Sequence, residues 1–309
     1  MGQLLNKTAI AILGAGAVGQ LIYQQLRTDA DAPLFITRES EQQQTVTFTA
    51  LDGQVTESTA TLLCAHSDPS LFEHIRLVIV CVKAYQVGDA LKSVIDKLPK
   101  ESHILLLHNG MGPHLEVAGQ LRGQGLSLGT TSQAALKQGR WHIVQTGSGS
   151  TQLGPLTTPN MGRELKSRLL DAIPGSQWCE PILPSLWHKL AINAAINPLT
   201  AIHNCNNGAL AQMQYRQQIS GVVSELVSVA AADGVKLDES ALINRVYEVI
   251  SLTAANFSSM HQDIANKRKT EIESINGFVV QRAKQHELSA KLNQDLLLRV
   301  KEIESAYLI

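Results

Sequence analysis

Residues Gly14 to Gly19 read GAGAVG, directly after a short apolar run, Thr8 to Leu13, and directly before apolar residues at helical spacing, Val18, Leu21, Ile22 and Leu26. This order of strand, glycine turn and helix constrains the chain more than any other feature, because each glycine has a distinct physical task. Gly14 permits the tight turn, Gly16 lets the main chain approach a pyrophosphate, and Gly19 lets helix and strand pack closely. The helix start offers its free amides to the anion, so Gly14, Ala15, Gly16, Ala17, Val18 and Gly19 form a candidate dinucleotide cradle.

Strand and helix patterns continue to alternate, with Leu34 to Thr37, Leu77 to Val82 and Ile104 to His108 as strands and Val87 to Leu98 as a helix. Such alternation predicts a parallel sheet of Rossmann type. Between Ser127 and Leu153 short glycine-punctuated segments predict antiparallel strands added to it. After Pro181 and Pro184 strand patterning stops. Leu186 to Ala201, Ile219 to Ala232, Ser240 to Ala255, Ile272 to Lys284 and Leu292 to Tyr307 all read as helices, and Asp233 with Gly234 reads as a turn. The expected organisation is an α/β domain over 1–180 and an all-helical domain over 181–309.

With 309 residues the chain has ample core for two domains. Its 26 Lys and Arg against 27 Asp and Glu leave a formal net charge of -1, which argues against a nucleic-acid partner. The longest apolar stretch of the first half, Leu77 to Val82, is far too short to span a membrane, and Ala9 to Gly19 reads as strand and turn rather than a signal-peptide core. A cytoplasmic protein is expected. Cys64, Cys81, Cys179 and Cys205 are widely spaced and read as reduced structural thiols, and no histidine pattern suggests a metal.

Other polar residues sit where this organisation would use them. Arg38 ends the second strand, where a carboxylate would serve the ribose hydroxyls of NAD; a cation there suits the 2′-phosphate of NADP, although a solvated surface arginine beside Glu39 is the other reading. Lys83 follows a buried strand at the carboxyl edge of the sheet, either as a ligand contact or as an ordinary loop lysine. Asn109, in His108 to Gly112 (HNGMG), is either a ligand-facing amide or part of an Asn-Gly turn. Lys189, Asn193 and Asn197 recur every four residues and share one face of a largely apolar helix. One cation and two amides suit a small polar acid, and a desolvated lysine has its pKa lowered toward the proton-transfer range. Asn256, Ser258, Ser259 and Glu271 form a second polar group, equally explained by helix caps.

Taken together, GAGAVG, VKAYQV around Lys83 and Gln86, HNGMG, HKLAINAAINPLTAIHNCNNG from His188 to Gly208, and SSMHQDI with KTEIESINGF from Ser258 to Phe278 resemble the ketopantoate reductase (2-dehydropantoate 2-reductase) family over essentially the whole chain. The resemblance implies NADPH-dependent reduction of 2-dehydropantoate to (R)-pantoate, with Lys189 as catalytic proton donor and Glu271 as its partner in catalysis. It implies Asn109, Lys189, Asn193, Asn197, Asn207 and Ser259 as substrate contacts. Arg38, Lys83, Gln86, Asn109, Ala135 and Glu271 join the glycine turn as cofactor contacts, in a monomer or homodimer. A related NADPH-dependent reductase of another 2-keto acid, and a non-catalytic NADP(H)-sensing regulator, are the alternative readings.

Overall fold

Strand β1 (Ala9–Leu13) is buried on both faces from Ile10 to Leu13, as a central strand of a parallel sheet must be, and it feeds through the glycine turn into helix α1 (Ala17–Leu26). The computed structural model describes residues 9–28, 30–39 and 42–308, so Thr8 of the expected strand lies outside the described residues. The chain continues through β2 (Leu34–Thr37), β3 (Gln42–Thr49), β4 (Val55–Cys64), β5 (Ile75–Val80), α2 (Val87–Lys92), β6 (His103–Leu106), α3 (Pro113–Gln120) and β7 (Gly125–Thr131). Then come β8 (Ala134–Gly139), β9 (His142–Gly147), β10 (Thr151–Pro155), α4 (Arg163–Ala172) and β11 (Ser176–Trp178).

These strands form one sheet in the order β11-β10-β7-β6-β5-β1-β2-β4-β3-β9-β8. From β7 to β4 every neighbour is parallel, while β3 runs antiparallel to β4, β10 to β7 and β8 to β9. The mixed sheet expected from the sequence is therefore present, enlarged by the β3–β4 hairpin, which sequence patterning did not indicate. Strand order reverses at β1, where the chain steps outward first to β2 and then to β5; open parallel sheets bind ligands at such a point.

The segment expected as one helix from Val87 to Leu98 is broken. Ser93 Oγ donates to the Ala90 carbonyl at 2.7 Å, a local bond that competes with the helical ladder, and a separate 3-10 turn, Ile95–Lys97, follows α2.

The second part of the chain is helical: α5 (Leu183–His203), α6 (Met213–Ala232), α7 (Glu239–Leu252), α8 (Ser259–Ala265), α9 (Asn276–Gln285) and α10 (Lys291–Ser305). Helix α5 is apolar nearly all round, as a central helix should be, and α6, α7, α8 and α10 pack against it. Burial of Leu190, Ile196 and Leu199 contributes about 1.5–3 kcal/mol each. The helix expected over Ile272 to Lys284 is split into a 3-10 turn, Ile272–Ser274, and α9, because Ile275 leaves helical geometry at φ -106°, ψ -92°.

By packing, the chain divides into two compact units, Met1–His108 with Pro113–Ile182, and Asn109–Gly112 with Leu183–Ile309. The short segment Asn109–Gly112 thus belongs with the helical unit although it follows β6 directly. Its attachment is specific: Met111 N donates to Ser274 O at 2.7 Å, and Gly110 adopts φ +78° where a Cβ would lie 2.4 Å from that same carbonyl oxygen.

Candidate active site

In the first unit, β2, β1 and β5 are parallel neighbours, so the turn after Leu13, Arg38 after β2 and Lys83 after β5 all fall at one edge of the sheet. Gly14 has φ +109°, and a Cβ there would sit 2.6 Å from Val82 Cγ1 and 2.9 Å from Val82 N. At Gly19 a Cβ would lie 2.1 Å from Gly14 O. Both glycines are demanded by the protein's own packing.

Gly16 differs. It has ordinary φ, and a Cβ there would meet only Cys81 O at 3.7 Å, an unstrained contact. Gly16 is the N-cap of α1 and offers no side-chain cap to the first turn, which also lacks acidic residues. The room beside Gly16 and the uncapped first-turn amides fit a dinucleotide pyrophosphate.

The remaining first-unit candidates surround this turn unevenly. Arg38 is exposed and Lys83 half-buried, the latter capping a 3-10 turn that ends at exposed Gln86. Ala135 is half-buried on β8, the last strand in sheet order. The β8–β9 hairpin nevertheless reaches the glycine turn, because Lys137 Nζ donates to Ala15 O at 3.4 Å and Gln20 Nε2 donates both to Ala15 O and to Arg140 O at 2.9 Å. Gln20 is completely buried, although by helical period it lies opposite the stripe of Val18, Leu21, Ile22 and Leu26, so the sequence pattern does not single it out.

In the second unit, Lys189, Asn193 and Asn197 line successive turns of α5. Lys189 is half-buried, and desolvation pushes its ammonium pKa down to about 8. Asn193 and Asn197 are buried, and among the described residues Asn193 Nδ2 has no hydrogen-bond partner. Asn207 is also buried: its Nδ2 donates to Thr253 Oγ1 at 2.8 Å, while its Oδ1 has no partner among the described residues. Buried amide atoms without partners are costly in a folded protein, and water or a bound ligand satisfies them.

Ser258 and Ser259 separate in role. Ser258 is buried, caps α8 by accepting from His261 N at 3.1 Å, and accepts from Thr200 Oγ1 of α5 at 2.7 Å. Ser259, the first residue of α8, stays exposed. Glu271 is buried, and its Oε2 accepts from Asn109 Nδ2 at 3.3 Å. The motifs HNGMG and KTEIESINGF, far apart in sequence, thus meet at one carboxylate. Among the described residues no group of histidine, cysteine or acidic side chains has the arrangement of a metal site, and all four cysteines are free.

A doubly wound parallel sheet carrying this glycine turn at its switch point defines a dinucleotide-binding protein of the Rossmann class. Two family models divide the chain between them: "Ketopantoate reductase PanE/ApbA" matches residues 10–158 and "Ketopantoate reductase PanE/ApbA C terminal" matches 181–304. The 2-dehydropantoate 2-reductase of Escherichia coli O157:H7 is 36% identical over 299 residues, 96% of this chain and 96% of that protein. That of Vibrio cholerae is 34% identical over 299 residues, 96% of this chain and 98% of the other. The chain belongs to the ketopantoate reductase family. Its fold also resembles that of D-mandelate dehydrogenase, solved with NADH and anilino(oxo)acetate, at TM-score 0.88 and 23% identity, covering 98% of this chain and 100% of the other. No helix among the described residues is long and apolar enough to cross a membrane.

Proposed function

We propose that the protein reduces the ketone of 2-dehydropantoate to the alcohol of (R)-pantoate with NADPH as reductant. The observation that carries this reading is the α5 stripe: a desolvated lysine and two buried asparagines on one helix face, with buried amide atoms of Asn193 and Asn207 lacking partners among the described residues. The full-length relatives named 2-dehydropantoate 2-reductase support the same substrate.

When bound, NADPH supplies a hydride to the ketone carbon. As that bond forms, the carbonyl π pair moves onto oxygen, and the Lys189 ammonium stabilises the growing negative charge and then gives the oxygen its proton. The products are the alcohol, NADP+ and a neutral lysine, which solvent reprotonates. Asn193, Asn197, Asn207 and Ser259 bind the polar acid, and Asn109 serves cofactor and substrate. The amide of Asn109 is oriented by Glu271, which takes part on the cofactor side as well. The first unit holds NADPH through Gly14 to Gly19, Arg38, Lys83, Gln86 and Ala135, and the helical unit holds the substrate.

The test follows NADPH absorbance with purified protein and 2-dehydropantoate, with NADH and a simpler 2-keto acid in parallel. Rapid oxidation of NADPH with 2-dehydropantoate alone is the expected result. Equal rates with the simpler acid would assign a broader 2-keto-acid reductase, and tight NADPH binding without turnover of any keto acid would assign a regulator.

A further inference from the structure

The tip of the β8–β9 hairpin engages both ends of the first-unit cofactor set through one residue. The main-chain oxygen of Arg140 accepts from Gln20 Nε2, the same nitrogen that donates to Ala15 O in the glycine turn. Because a trans peptide points its C=O and N–H in opposite directions, tying the Ala15 carbonyl to Gln20 directs the Gly16 N–H away from Gln20. Beside Arg140, Trp141 packs edge-on against Phe35 of β2 with ring centroids 5.4 Å apart, fixing the tip against the strand that Arg38 follows. The Arg140 guanidinium forms an ion pair with Glu39, the residue after Arg38.

The charge count at the end of β2 turns on that pair. Of the described residues there, Arg38 and Glu39 alone sum to zero; with Arg140 the group carries one net positive charge. A carboxylate here suits NAD, because it accepts from ribose hydroxyls, and it repels the 2′-phosphate of NADP, whose charge is about -1.5 to -2 at neutral pH.

We infer that Arg140 is a specificity-determining residue, which masks Glu39 so that the end of β2 accepts a 2′-phosphate despite carrying a carboxylate. The inference rests on the NADPH reading above. The side chains of Arg140 and Glu39 are 67% and 37% exposed, so the expected effect is moderate and weakens with added salt.

Dissociation constants of NADPH and NADH, measured by fluorescence titration without any keto acid, test it in the parent protein, Arg140→Gln, Glu39→Gln and the double variant. A parent that binds both nucleotides equally would defeat the NADPH reading itself. Given a parental preference, Arg140→Gln is expected to lower the NADPH to NADH affinity ratio about three- to tenfold. Removing Glu39 in the same chain is expected to restore most of the ratio, and that recovery also shows that the hairpin still folds, since the main-chain bond to Gln20 needs no arginine side chain. An unchanged ratio in Arg140→Gln, or a double variant as poor as the single one, would overturn the inference.

Discussion

Asn276 supplies the hydrogen bond that Pro198 denies to Ala194. Proline has no N–H, so its presence inside α5 leaves the carbonyl four residues earlier without its helical donor, and Asn276 Nδ2 donates to Ala194 O at 3.2 Å. The same nitrogen donates to Asn293 Oδ1 at 3.0 Å, and Asn293 in turn bonds Val222 O and Glu225. Ala194 directly follows Asn193, so this buried network fixes the interrupted stretch of helix on which the polar stripe stands.

Replacing Asn276 with leucine removes the donor and leaves a buried carbonyl unsatisfied, at a cost of about 1–3 kcal/mol. Urea denaturation should show a midpoint lowered by an amount that, multiplied by the slope, equals that loss, with the slope itself little changed. An unaltered midpoint would mean that the helix satisfies Ala194 in another way.

Lys189→Ala should lower turnover at least about a hundredfold, the lower figure for a positioned general acid, while circular dichroism stays that of the parent. The proton donor is the ammonium form, which predominates below the depressed pKa of about 8. The rate of ketone reduction should therefore fall as pH rises through about 8, and a plateau extending to pH 10 would contradict the assignment.

The glycines of the turn make a paired prediction. Gly14→Ala forces a side chain into φ +109° and against Val82, so it should destabilise the first unit and abolish nucleotide binding together. Gly16→Ala meets only ordinary contact, and should cost the fold no more than about 1 kcal/mol as a less favourable N-cap while strongly weakening NADPH affinity. Thermal melting alongside NADPH titration separates the two outcomes, and full affinity in Gly16→Ala would place the pyrophosphate elsewhere.

Glu271→Gln keeps the size of the side chain but weakens its charge-assisted bond with Asn109. The expected result in steady-state kinetics is a higher KM for 2-dehydropantoate and a lower kcat, each by about tenfold, and unchanged kinetics would remove Glu271 from the site.

Local order made much of this protein legible in one sequence. The glycine turn is a short stretch whose dihedral demands are written in residue type, and the Lys189, Asn193, Asn197 stripe follows from helical period alone. The breaks in the expected helices were less visible, because Ser93 bonding back to Ala90 and the departure of Ile275 from helical geometry are departures from periodicity, not parts of it.

What the sequence determined by itself was therefore the parallel sheet, its dinucleotide turn and the polar face of α5, all set by residues within a few positions of one another. Tertiary structure alone decided that Asn109 joins Glu271 in the helical unit, that Arg140 masks Glu39, and that Asn276 completes the helix interrupted by Pro198. Each of those partnerships joins residues more than eighty positions apart, and such a pairing has no periodicity to betray it; it exists only after the chain has packed and each buried carbonyl, carboxylate and amide has had to find a partner.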